Sequence, residues 1–299
     1  MAETKASTSP NDVVPQVVGV LGGGRMGSGI AHAFLLAGAS VTVVERDQAV
    51  AQDARARIER SISASIDRGF HADAATLNAS LTVATSATAF QGAELVVEAV
   101  PESLELKRVA LRAIETQLAT SATIASNTSS IPLGQLAEAL TQPSRFIGLH
   151  FFNPVPASTL IEIVLCKQTS DELPAKARSW VRALGKTPIT VNDAPGFASS
   201  RLGVALALEA IRMVEQGVAS AADIDLAMEL GYRHPVGPLR TTDIVGLDVR
   251  LGIAEQLHRD LGHHFAPPRL LQDMVAAGKL GRKSGQGFYT WPDSPTTDR

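Results

Sequence analysis

The sequence predicts an α/β protein in two parts: a largely parallel sheet covered by helices on both faces, then an all-helical unit. Short β-rich runs alternate with helical stretches through the first two thirds of the 299 residues, the pattern of parallel sheets with helical crossovers. After Pro195 the strands stop, and helical segments punctuated by GYRHPVGP and HFAPP run on to a glycine-rich end, GKLGRKSGQGFY. A chain of this length suits two medium domains.

The expected strands are QVVGVL (16–21), SVTVVE (40–45), ELVVEA (94–99), ATIAS (122–126), RFIGLH (145–150), TLIEIVL (159–165) and TPITV (187–191). RMGSGIAHAFLLA and SLELKRVALRAIETQL show helical periodicity between them. The polar start is expected to be a flexible tail over 1–14, followed by a sheet domain over 15–195 and a helical domain over 196–299.

With 45% hydrophobic and 19% charged residues and a formal net charge of −3, the composition is that of a globular domain. It offers no basic footprint for nucleic acid and no polybasic membrane patch. No apolar run approaches the roughly 18 residues of a spanning helix. The first residues contain no hydrophobic core of a signal peptide, and their acidic side chains argue against a transit peptide. Cys166 is alone on an apolar run, where a cysteine behaves as a small hydrophobe, and it fits a reducing cytoplasm. The histidines of HRDLGHH read as a solvated helix end, so no metal site is expected.

A glycine-rich turn supplies the first chemical signal. Gly22-x-Gly24-x-x-Gly27 lies between the first strand and the first helix, and Glu45 ends the second strand, 23 positions after Gly22. The first glycine permits a tight turn, the second lets backbone approach a pyrophosphate, and the third lets helix pack closely on strand. A carboxylate at the second strand end suits ribose hydroxyls and repels a 2′-phosphate, which favours NAD over NADP. Arg46 beside it tempers that preference.

Ligands bind parallel sheets at the carboxyl ends of the strands, and two polar segments fall there: ASNTSS (125–130) and HFFNPVP (150–156). Ser129 and His150 are therefore expected to share a crevice with the nicotinamide. Glu162, inside the apolar run TLIEIVL, needs a partner or an exposed face. Paired with His150, it would fix the imidazole tautomer and stabilise the imidazolium formed on proton uptake. On the residues alone, His150 could equally be structural, Glu162 solvated on an edge strand and Ser129 a helix cap.

These motifs, with VVEAVPESLELK, APGF followed by RL, GVASAADIDLAMELG, GPLRTTDIVGLD and GRKSGQGFY, closely resemble the L-3-hydroxyacyl-CoA dehydrogenases, in the branch of the 3-hydroxybutyryl-CoA dehydrogenases. The resemblance runs from about Val17 to Tyr289. It implies a Rossmann-like NAD-binding domain followed by an all-helical domain of the 6-phosphogluconate dehydrogenase C-terminal-like type, which usually mediates a homodimer. It implies NAD and an acyl-CoA as ligands and a cytoplasmic enzyme of fatty acid β-oxidation. His150 matches the general base that takes the 3-hydroxyl proton, Glu162 its partner, and Ser129 the serine that hydrogen-bonds the reacting oxygen and the cofactor. The loop residues Gly22, Gly24, Arg25, Met26 and Gly27, together with Glu45, Glu102, Lys107, Asn153 and Lys283, match cofactor positions. Ser61 and Arg68 fall where the family places a serine and a lysine against CoA, and the arginine keeps the cation.

One position departs from the family. Ser200 stands 50 residues after His150, where the family carries an asparagine that helps hold the substrate's reacting groups. A serine reaches less far than an amide, and one lost positioned hydrogen bond costs about tenfold in rate. A sister group acting on free 3-hydroxy acids shows a proline after the site histidine; Phe151 there favours the thioester. An acyl-carrier-protein thioester and, more distantly, a non-catalytic NAD-binding or structural protein are the remaining alternatives.

Overall fold

The computed structural model describes residues 12–292. Eight strands form one sheet: β1 (Val17–Leu21), β2 (Ser40–Val44), β3 (Leu81–Ala84), β4 (Leu95–Glu98), β5 (Thr123–Ser126), β6 (Phe146–Phe151), β7 (Leu160–Leu165) and β8 (Thr187–Asn192). Their order is β3-β2-β1-β4-β5-β6-β7-β8. The first six run parallel in the doubly wound arrangement, so the chain reverses its direction of travel across the sheet between β1 and β4. Strands β4, β5 and β6 are buried along their whole length, which is why they read as continuous apolar runs.

β7 breaks the parallel pattern. Only residues 152–159 join it to β6, and a parallel return needs a crossover of a dozen residues or more. The chain turns back, and β7 pairs antiparallel with β6 while β8 runs parallel to β7. Seven strands stand where the sequence predicts them. β3 does not announce itself: LTVA has four residues at the sheet edge, and only Leu81 is buried.

Helices α1 (Arg25–Leu36), α2 (Gln48–Asp67), α3 (Ala74–Ala79), α4 (Leu104–Glu115), α5 (Leu133–Ala137) and α6 (Leu173–Ala183) accompany the sheet. Apolar residues at helical spacing on α1, including Ile30, Phe34 and Leu35, meet Val18 and Val20 in one core. Asp47 caps α2 by accepting from the Val50 amide at 2.9 Å. Of the tail expected over 1–14, residues up to 11 lie outside the described residues, whereas Val14 is buried in this core.

The chain divides into two compact units after Asp193. The second contains α7 (Ser199–Glu215), α8 (Ala221–Tyr232), α9 (Pro238–Val245), α10 (Leu247–Leu261) and α11 (Arg269–Ala276). Val204, Leu208 and Ile211 of α7 form its core with Leu239, Leu247 and Leu257. Cys166 is buried in the first unit, its thiol 3.3 Å from the Thr169 hydroxyl.

The glycine-rich end of the chain is held by two buried carboxylates. Asp243 accepts from the amides of Phe288 and Tyr289, each at 2.9 Å, and from the Trp291 indole at 2.8 Å. Gly287 is obligatory here, because a Cβ would lie 2.2 Å from Asp243 Oδ1. The Tyr289 hydroxyl donates to Asp225 at 2.7 Å, and Asp225 also receives the Leu239 and Arg240 amides. Burial, then the Asp225 carboxylate, raise the Tyr289 pKa, so the hydroxyl stays a donor. Asp243→Ala strands three donors and is expected to destabilise the protein by about 3 kcal/mol or more. Urea denaturation of the variant checks this, and a loss under about 1 kcal/mol would contradict it.

Candidate active site

The turn after β1 is shaped by what glycine lacks. Gly22 has φ +94, and a Cβ on Gly27 would sit 1.7 Å from the Gly22 carbonyl oxygen. Around Gly24 there is open space instead, and as the N-cap of α1 it offers no side chain to the helix. The first turn of α1 therefore presents backbone N–H groups where an anion can approach. Arg25 is exposed beside it, and Met26 is half-buried.

Glu45 reaches this turn from the end of β2 and accepts from the Gly23 amide at 2.6 Å. A carboxylate has lone pairs left for further donors, so the same group can serve ribose hydroxyls. Arg46 points away, 3.2 Å from Asp47 and largely in solvent. Arg57, on α2, donates to the Gly23 carbonyl at 2.6 Å and to the Ser28 hydroxyl at 3.3 Å. Its neighbours in the sequence give no sign of this contact.

The ends of β4 and β5 are tied together by charge. Lys107 Nζ, almost wholly buried, donates to Glu98 at 2.8 and 3.1 Å and to the Val100 carbonyl at 3.2 Å, and lies 3.3 Å from Glu102. Glu98 also receives the Ser126 hydroxyl at 2.6 Å. Glu102 in turn gathers the loop after β5: it accepts from the amides of Ser129 and Ser130, each at 2.9 Å, and from the Thr128 hydroxyl at 2.6 Å. Burial alone would raise the Glu102 pKa, but Lys107 and these hydrogen bonds outweigh it, and the pKa lies below the usual value. Asn127 completes the link by accepting from the Phe151 amide at 2.8 Å.

His150 and Glu162 face each other across the antiparallel pair β6–β7. His150 Nδ1 lies 2.7 Å from Glu162 Oε2, and the carboxylate is fully buried. Against an ionised carboxylate the ring carries its proton on Nδ1, which makes Nε2 the acceptor nitrogen of the neutral ring. The Phe152 ring stands 4.5 Å from the imidazole, centroid to centroid.

Residues 17–194 match the family model described as the 3-hydroxyacyl-CoA dehydrogenase NAD binding domain, and residues 196–291 match that of the C-terminal domain of the same enzymes. The chain belongs to the 3-hydroxyacyl-CoA dehydrogenase family. It is an NAD-dependent oxidoreductase that interconverts a 3-hydroxyacyl-CoA and its 3-ketoacyl-CoA. A probable 3-hydroxybutyryl-CoA dehydrogenase of Deinococcus radiodurans is 41% identical over 275 residues, 91% of this chain and 99% of that protein. The human mitochondrial hydroxyacyl-coenzyme A dehydrogenase is 35% identical over 97% of this chain and 96% of its own. Among solved structures, Mycobacterium tuberculosis FadB2 superposes with a TM-score of 0.89 at 40% identity, covering 93% of this chain and 99% of that one.

The other positions that the dehydrogenase resemblance implies are distributed over both units. Ser61, half-buried on α2, donates to the Arg57 carbonyl, and Arg68 is the exposed C-cap of the same helix. Asn153 is exposed in the link between β6 and β7. In the helical unit, Ser200 lies in the first turn of α7 and is half-buried, and Lys283 pairs with Asp248 at 2.5 Å. Glu98, Asn127 and Arg57 join the site only through the fold, and sequence reasoning misses them. Glu98 ends the run LVVE, and a carboxylate closing a buried strand is the available signal.

The lowered Glu102 pKa makes a stability prediction. A carboxylate whose folded pKa is depressed contributes stability above its unfolded value, here 4.5, and loses it as pH falls through the folded value. Glu102→Gln is therefore expected to be less stable than the parent at neutral pH and to lose less stability on acidification below pH 4.5. Denaturation midpoints across that range test it; equally steep acid limbs would contradict it.

Proposed function

We propose that His150 is the general base and acid of the reaction, held by Glu162, with Ser129 steadying the reacting oxygen. His150 Nε2 takes the proton of the substrate's 3-hydroxyl, and in the reverse direction returns it to the carbonyl oxygen. Glu162 keeps the proton on Nδ1 and compensates the charge of the imidazolium. The Ser129 hydroxyl donates to the oxygen on which negative charge develops, while Glu102 fixes the Ser129 backbone. When bound, NAD supplies the hydride acceptor at its nicotinamide and, reduced, the donor.

Gly22, Gly24, Arg25, Met26 and Gly27 hold the cofactor's pyrophosphate in this reading, and Glu45 its ribose. Glu102, Asn153 and Lys283 add further contacts, with Lys107 holding the loops from beneath. Ser61 and Arg68 face the phosphates of CoA, and Ser200 takes the place of the family asparagine near the reacting groups. We assign residues 15–195 to the cofactor and 196–299 to substrate and self-association. The names of the relatives support a short acyl chain of the 3-hydroxybutyryl type. The exposed Leu202, Leu230 and Tyr232 of the helical unit support a homodimer. Among the described residues no helix is long and apolar enough to cross a membrane, and a cytoplasmic enzyme is the localisation we infer.

The buried His150–Glu162 pair, at 2.7 Å, is the observation that carries this mechanism. Oxidation of NADH by acetoacetyl-CoA, followed at the nicotinamide absorbance, tests it, with a carrier-protein thioester as a second arm. His150→Gln is expected to lower kcat about 10²–10⁴-fold while NADH binds as before. Near-normal turnover would refute the role of His150, and absence of turnover by the parent with any 3-ketoacyl thioester would refute the reading as a whole.

A further inference from the structure

Arg57 of α2 is a cation that the mechanism does not use, and it stands at the glycine turn. A Cβ on Gly23 would lie 2.6 Å from Ala54 Cβ, so the bare glycine lets α2 pack directly against the turn. Arg57 follows Ala54 by three residues, on the same face of the helix. Its Nη1 donates to the Gly23 carbonyl at 2.6 Å and to the Ser28 hydroxyl at 3.3 Å. Glu45 holds the amide of the same glycine.

These two bonds fix the guanidinium and leave most of its donors unused. A guanidinium carries five N–H groups, of which Nη1 has two. Among the described residues no acceptor receives the three on Nε and Nη2, and no carboxylate pairs with Arg57. The residue is half-buried, and neither nitrogen is enclosed by protein, so both are open to a ligand. A partly desolvated cation without a counter-charge in its own chain is costly, and an anion brought by a ligand relieves that cost.

Besides the exposed Arg25, the glycine turn itself offers a phosphate only backbone N–H groups. One helical turn along α2, the Ser61 hydroxyl donates to the Arg57 carbonyl, and Ser61 with Arg68 is the face assigned above to CoA. Arg57 thus stands between the two places that phosphates take in the dehydrogenase reading, all within the first unit.

We infer that Arg57 binds a diphosphate group, that of NAD or that of CoA, and so sets the affinity for one of the enzyme's two nucleotides. This rests on the dehydrogenase reading above. Nε and Nη2 share one edge of the guanidinium, and their parallel N–H groups match two phosphate oxygens. Nη1 meanwhile keeps its hold on Gly23 and Ser28, so the fork is set before the ligand arrives.

The test compares ligands that differ in their phosphates: ADP-ribose against adenosine for the cofactor, and CoA against pantetheine for the thioester. In titration calorimetry Arg57→Gln is expected to weaken ADP-ribose or CoA at least about tenfold, and the phosphate-free member of that pair less than about twofold. The nucleotide that weakens identifies the source of the diphosphate. Arg57→Lys keeps the charge without the fork and should lose about threefold; it carries the same comparison should Arg57→Gln not fold. Unchanged binding of both nucleotides overturns the inference. Equal losses with and without phosphate also overturn it, since Arg57 would then only brace the turn. A parent that binds neither ADP-ribose nor CoA would overturn the dehydrogenase reading as well.

Discussion

The short return from β6 to β7 creates the buried His150–Glu162 pair on which the proposed mechanism rests. Eight residues cannot carry a crossover, so β7 must run antiparallel, and the register that follows sets Glu162 opposite His150. A slip of one residue would turn every side chain of β7 to the other face of the sheet. Glu162 would lose the imidazole and stand as a buried, unpaired carboxylate, which is costly. Ile161 and Ile163 pack into the apolar core on the opposite face of β7, and a slip would put Glu162 there in their place. Packing of plain hydrophobes thereby holds the Glu162 carboxylate within hydrogen-bond distance of His150.

A second constraint works from below the site. The ammonium of Lys107 joins two carboxylates that belong to the same strand end, and those carboxylates hold the loops after β4 and β5. One cation therefore orders Ser126, Thr128, Ser129 and Ser130 through Glu98 and Glu102. Such a network is rigid only when each member is satisfied. The Ser129 backbone thus depends, through Glu102, on a lysine buried beneath the loops.

Much of the fold, and the placement of the candidate site's residues, is legible in the amino-acid sequence. The glycine turn, Glu45, Ser129, His150 and Glu162 each sit at a strand end or on a strand, and strand ends are readable from apolar runs and their punctuation. β3 escapes because a four-residue edge strand with one buried side chain gives too little pattern. Glu98 and Arg57 escape for another reason. A charged residue shows its role only through its partner or the lack of one, and pairing between distant segments is a property of the fold. Arg57 reads as a helix-surface cation until the Gly23 carbonyl stands beside it.

In the proposed mechanism the pair across β6 and β7 holds His150 ready to exchange a proton at Nε2. The tautomer of the neutral imidazole, read from ¹⁵N chemical shifts and two-bond couplings in histidine-labelled protein, tests it most directly. Nδ1 is expected to bear the proton and Nε2 not, and Glu162→Gln is expected to weaken this preference. A neutral ring protonated at Nε2, or a tautomer indifferent to Glu162→Gln, would contradict it.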